Sequence, residues 1–147
     1  MLTKAAGLAA VGLLAFTTAQ PSEANTLSNQ PGRAAAGSAP YFVMTDITRE
    51  EFVVKLTKPG TIEHARELVN GQTTDRPHLA ARIIKRTAVY NPRWSYHINP
   101  DTTEFFDQHI EVCDATIPYV DEAGDPFLPG LVWCDWSSRL TREVPAT

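Results

Sequence analysis

EFVVKLTKPGTIEHARELVNG, residues 51–71, changes its hydrophobic period half-way along. In its first part Phe52, Val54 and Leu56 alternate with Glu51, Val53, Lys55 and Thr57, the period of two of a strand with one buried face. Pro59-Gly60 ends that strand, and Ile62, Ala65, Leu68 and Val69 then recur at helical spacing. Thr61 suits the N-cap of this helix. Glu63 lies in its first turn, where a carboxylate complements the helix dipole, and Asn70-Gly71 supplies the stop. A half-buried strand followed by a one-sided helix predicts helices packed on an antiparallel sheet, the α+β class.

Outward from this stretch the same reasoning predicts the remaining elements. Tyr41 to Thr45 is a short β-like run, and Gln72 to Pro77 is a polar loop. Ala80 to Tyr90 is rich in Ile, Val, Thr and Tyr and predicts a long strand. After the Asn91-Pro92 turn, Trp94, Tyr96 and Ile98 alternate with Ser95, His97 and Asn99, the second arm of a hairpin. Thr103 to Asp107 predicts one helical turn, whereas Gln108 to Cys113 fits strand or helix. Ile110, Cys113, Ile117 and Val120 share a helical face, yet Pro118 forbids an undisturbed helix interior. A helix beginning near Thr116, with Pro118 in its first turn and Gly124 after its end, meets both constraints. The tail from Pro126 reads as loop, with a final strand over Ser138 to Val144. The expectation is a single small α+β domain, residues 41–147. Its antiparallel sheet comes from the Tyr41, Phe52, Ala80 and Trp94 segments, with two short helices at 61–70 and 117–123. A β-sandwich with peripheral helices is the alternative.

The N-terminus has a different character. Lys4 followed by the apolar run Ala5 to Phe16 and small residues up to Ala24 predicts a secretory signal peptide, residues 1–24. The run is too short to span a bilayer. Residues 25–40, Ser, Asn, Ala, Gly and Pro without an apolar period, read as a flexible leader. The expected product is secreted and extracellular, with no membrane association after cleavage. A net charge of −4 with scattered cations argues against nucleic acid. In an oxidising compartment the two cysteines, Cys113 and Cys134, predict one disulfide. It would close a loop of about twenty residues and contribute roughly 3 kcal/mol in the chain-entropy picture. A zinc site would need further ligands; His109 precedes Cys113 by four residues, but the usual paired spacing is missing.

Three phrases concentrate the unusual residues: YNPRWSYHI (90–98), EVCDA (111–115) and WCDWSSRL (133–140). In this order they resemble the N-terminal domain of a slime-mould calmodulin-binding protein and its short secreted bacterial relatives, over Phe42 to Val144. Pro118 departs from the uninterrupted helix that follows the second phrase in those relatives. The resemblance implies a binding or interaction module without catalysis. For calmodulin itself the nearest basic stretch is Leu79 to Trp94, with Arg82, Lys85, Arg86 and Arg93. Its Ile, Thr and Val content makes it a strand, so a target helix would have to leave the sheet.

The expected contact surface combines Arg93, Trp94, Tyr96 and His97 with Trp133 and Trp136, Trp94 also serving the core. The partner would be a protein, peptide or carbohydrate, and the domain a monomer. A secreted hydrolase inhibitor is one concrete version, using the disulfide-tied Pro126 to Trp136 loop. A small secreted hydrolase using His97 is the enzymatic alternative. It suffers because Ser95 and His97, alternate residues of one strand, do not orient each other. His97, His109 and Glu111 lack the pairing of hydrolytic zinc ligands, and Asp121 to Asp125 lacks the ligand spacing of a calcium loop. No metal or other cofactor is expected.

Overall fold

Strands β1 (Tyr41–Thr45) and β2 (Glu51–Lys55) form an antiparallel hairpin, in register from Tyr41↔Lys55 to Thr45↔Glu51. The computed structural model describes residues 38–123 and 126–145. The expected signal peptide, the leader up to residue 37 and Gly124 lie outside them. Alternation buries Phe42, Met44, Phe52 and Val54 completely. Asp46 shapes the turn between the strands: its Oδ1 accepts from the Thr48 N–H at 2.8 Å and from the Thr48 hydroxyl. Its carbonyl accepts from the N–H of Arg49, which sits at φ 66°.

Helix α1 (Pro59–Val69) starts two residues before Thr61, the expected N-cap. Lys58 is the capping residue and Pro59 occupies the first helical position. Proline has no N–H to leave unpaired there and its φ is already helical, so it begins this helix rather than ending the strand. At the other end the expected stop is present. Gly71, at φ 69°, donates to the Leu68 carbonyl at 3.1 Å, and Gln72 donates to Glu67 at 2.8 Å, a Schellman closure. The guanidinium of Arg66 donates to both carboxylate oxygens of Glu143 at 2.9 and 2.7 Å, tying α1 to the last strand.

Strand β3 (His78–Ile84) is shorter than predicted, because the chain turns away after Ile84. The Trp94 to Ile98 segment contributes only β4 (His97–Ile98). The expected hairpin therefore exists, with Ile83↔Ile98 and Ile84↔His97 paired, but a long loop closes it. Thr103 to Asp107 is not a helical turn: a 3-10 turn occupies Pro100–Thr102 and β5 (Glu104–Phe106) follows. Since β4 and β5 both run antiparallel to β3 on the same edge, they are one strand broken by that turn. Arg82, opposite the break, finds substitute partners: its N–H donates to Thr102 Oγ1 at 2.9 Å and its carbonyl accepts from Asn99 N–H at 2.8 Å.

The ambiguous Gln108 to Cys113 stretch is loop ending in a 3-10 turn at Glu111–Cys113, and α2 spans Ile117–Ala123 with Pro118 in its first turn. The tail is more regular than expected. β6 (Val132–Asp135) pairs with β3 through Leu79↔Asp135, Ala80↔Cys134, Ala81↔Trp133 and Arg82↔Val132. β7 (Arg139–Val144) pairs with β1. The described residues are α+β, with two short helices and two antiparallel sheets in place of the single expected one. The orders are β2-β1-β7 in one and β3 flanked by β6 on one edge and β4/β5 on the other in the second.

The main core draws on both sheets: Phe42, Met44, Phe52 and Val54 from the first, Leu79, Ala81, Ile83 and Trp133 from the second. Phe52, Tyr96 and Trp133 form its aromatic centre, with ring centroids 5.0 to 5.6 Å apart. Each polar handle is satisfied, as burial demands. Trp133 Nε1 donates to the Ala115 carbonyl at 2.7 Å and Tyr96 Oη to that of Ile117 at 2.9 Å. On the other face of the second sheet Ala80, Phe106, Cys113 and Cys134 make a smaller cluster against which Val132 and Trp136 pack. The period of two is what sends Trp133 one way and Cys134 the other.

Candidate functional site

The structure divides the six expected contact residues. Trp133 is fully buried, Tyr96 and Trp94 nearly so, and His97 is 8% exposed. Arg93 and Trp136 present side-chain surface. Arg93 pairs with Glu50 and lies over the Trp94 ring, 4.9 Å from its centroid. Trp136 is half-buried on the opposite face of the sheet from Trp133, edge-on to Phe106 at 6.1 Å. Tyr96 and Trp133 do meet, but inside the core.

The first phrase, residues 90–98, works as a clasp. Asn91 copies a neighbouring strand: its Oδ1 accepts from the Val53 N–H at 2.8 Å and its Nδ2 donates to the Val53 carbonyl at 2.6 Å. The free edge of β2 is thereby blocked by a side chain. Trp94 Nε1 donates to the Glu51 carbonyl at 2.9 Å beside it. Ser95 donates to Asp121 Oδ1 through its N–H at 2.8 Å and its hydroxyl at 2.6 Å, anchoring the loop to α2. His97 directs Nδ1 at the Arg86 carbonyl. Ser95 and His97 are thus held by different partners.

The third phrase is a junction. Ser137 donates its N–H and hydroxyl to Asp135 Oδ1 at 2.8 and 2.7 Å. The Ser138 hydroxyl donates to the Asp135 carbonyl at 2.6 Å and accepts from the Leu79 N–H at 3.0 Å. Asp135 is enclosed, and its Oδ2 has no hydrogen-bond partner among the described residues. Burial pushes its carboxyl up to about 7; the Ser137 bonds oppose the rise, and the nearby Asp46 and Asp114 carboxylates add to it. Asp46, also fully buried, uses its Oδ2 to accept from the Ile117 N–H at 2.7 Å, satisfying the first turn of α2. Asp135 had no sequence signal beyond its place in the third phrase, and Asp46 had none. Burial of polar residues is a tertiary outcome.

A concavity of about 460 Å³ opens beside this junction, lined by Ile47, Asp114, Thr116, Tyr119, Trp136 and Ser137. Three elements build it. The β1–β2 turn contributes Ile47, whose N–H donates to Ser137 Oγ at 3.1 Å. Asp114 holds the Trp136 N–H through Oδ1 at 3.1 Å, and Tyr119 of α2 packs edge-on to Phe127 at 5.1 Å. Its walls are apolar with a carboxylate and hydroxyls at the side, suited to an apolar body with a polar edge.

The disulfide joins Cys113 to Cys134, with Cα atoms 5.1 Å apart. The trio of His97, His109 and Glu111 weighed as metal ligands is not assembled. His109 instead stands against the disulfide, its Nδ1 3.1 Å from Cys113 Sγ.

A family model for the N-terminal domain of slime-mould calmodulin-binding protein 74 matches residues 38–147. The chain belongs to that domain family. This is the family that the three phrases suggested. Neither the curated proteins nor the solved structures gave a match. In this member of the family the first phrase stitches β2 to α2, the second carries one half of the disulfide, and the third joins β6, β7 and β3. The phrases that mark the family are chiefly the fasteners of its fold.

Proposed function

We propose that this domain is a secreted binding module that acts without catalysis, and that a protein or peptide partner inserts an apolar side chain into the groove around Trp136. The observation that carries the reading is the exposure of Ile47 at 74% and Tyr119 at 41% on either side of that groove. Large apolar side chains exposed together around a concavity favour a contact more than an isolated one does. The cross-link between Cys113 and Cys134 and the Asp114 bond to Trp136 hold one wall in place, which limits the ordering cost of binding. A secreted hydrolase inhibitor is one concrete version of this module. Export rests on the pattern of residues 1–24, with which a disulfide is compatible.

Calmodulin binding is a property of the protein that names the family and is not carried over. The basic stretch Leu79 to Trp94 includes β3, which is paired on both edges, so a target helix would dissolve the second sheet. Affinity capture from culture supernatant, with Trp136→Ala and Ile47→Asp beside the parent domain, tests the groove. Capture that both substitutions abolish while circular dichroism is unchanged is expected. Equal capture by all three proteins, or turnover in a hydrolase panel that His97→Ala removes, would overturn the reading.

A further inference from the structure

His109 Nδ1 and the sulfurs of Cys113 and Cys134 lie within 4.8 Å of one another, on the face of the second sheet opposite the main core. The His109 ring is fixed from two sides. Phe106 packs edge-on against it at 5.3 Å, and its Nε2 faces Glu104 Oε1 at 3.3 Å. A carboxylate at Nε2 favours the tautomer that carries its proton there, which leaves the Nδ1 lone pair facing the sulfurs. That arrangement, imidazole toward the centre and carboxylate behind it, is the one that orients histidine ligands in metal sites.

We propose that on reduction of the disulfide this cluster becomes a binding site for one thiophilic divalent cation of the zinc class, held by His109 Nδ1, Cys113 Sγ and Cys134 Sγ. The fourth position is left to solvent or a ligand. With Cα atoms 5.1 Å apart, both thiolates reach a single ion once the S–S bond no longer holds the sulfurs together. The Ile110 carbonyl oxygen, 3.1 and 3.4 Å from the two sulfurs, would repel a pair of bare thiolates, and a cation between them cancels that repulsion. The cysteines come from two anchored elements, a 3-10 turn and β6, so the half-sites are brought together by the fold rather than by sequence spacing. This is why the missing paired spacing did not reveal them. The chemistry balances with a trialkylphosphine as reductant. The disulfide takes two electrons from phosphorus, water gives its oxygen to the phosphine oxide, and its two protons go to the thiols. Metal binding then releases those two protons from the thiols.

The inference is independent of the groove reading, and its failure would leave that reading standing. The purified disulfide-bonded protein and its phosphine-reduced form are titrated with cobalt(II), with zinc(II) as competitor, following thiolate-to-cobalt charge transfer and proton release. One equivalent bound by the reduced form, displaced by zinc and absent from the oxidised form, is expected. Glu104→Gln, at an exposed position, should weaken binding about 10–100-fold, and His109→Ala at least as much. Equal affinity in parent and His109→Ala, no binding after reduction, or equal binding before it would overturn the proposal. So would circular dichroism showing the zinc-loaded reduced chain unfolded, since the site needs β6 and the 3-10 turn in register.

Discussion

Replacing Asp135 by asparagine isolates the buried carboxyl. Asp135 is 1% exposed and keeps two bonds from Ser137 on Oδ1, a role that an amide oxygen can take over. Burial, with Asp46 and Asp114 nearby and against the pull of Ser137, moves its carboxyl from the ordinary 3.8 to about 7. The folded state therefore holds this proton more tightly than the unfolded chain does. The resulting stabilisation is complete below the unfolded value and is lost as pH rises through the folded one. At about 1.4 kcal/mol per unit, the span from about pH 5 to about pH 8 removes on the order of 3 kcal/mol from the parent. The Asp135→Asn variant carries no proton at this position and loses none of this. Urea unfolding of both proteins at constant ionic strength should show the parent's midpoint falling relative to the variant's by about 1–2 M across that window. Starting near pH 5 also avoids Glu51, whose bonds from Arg142 lower its carboxyl and whose stabilisation is lost only at more acidic pH. A midpoint difference that stays constant with pH would refute the reasoning, because a pKa equal in both states gives no slope.

Three further outcomes follow from other fasteners. Intact mass of non-reduced material should show no free thiols, and the paired Cys113→Ser, Cys134→Ser variant should lose about 3 kcal/mol for its twenty-odd-residue loop; two free thiols in the parent would end the disulfide reading. Gly71→Ala should cost about 1–2 kcal/mol by thermal unfolding from backbone conformation alone, since a Cβ there meets nothing within 4 Å and φ is 69°. Asn91→Ala should cost about 2–4 kcal/mol by strand edge exposure and two lost bonds, with faster hydrogen exchange at Val53 as its signature; unchanged exchange there would show that the clasp does not protect β2.

Features that depend on near neighbours were legible in the chain. The alternation of Phe52, Val54 and Leu56, the apolar stripe of α1, the Gly71 stop and the start of α2 around Pro118 follow from local periodicity and backbone sterics. The disulfide was legible because two cysteines leave one pairing, and the family because three phrases stand in order. Everything else required knowing which strand lies beside which. β6 was hidden because its four residues are too few to show a period, and β5 because a 3-10 turn cuts its three residues off from β4, the one part of that strand the alternation of Trp94, Tyr96 and Ile98 did show. The same aromatics that suggested an exposed surface fit equally well inside a core, and only the pairing of β3 with β6 sends Trp133 inward and leaves Trp136 at a groove. His109 and Cys113, in the loop and 3-10 turn after β5, meet Cys134 of β6 for the same reason: the partner across the sheet is chosen by the whole chain.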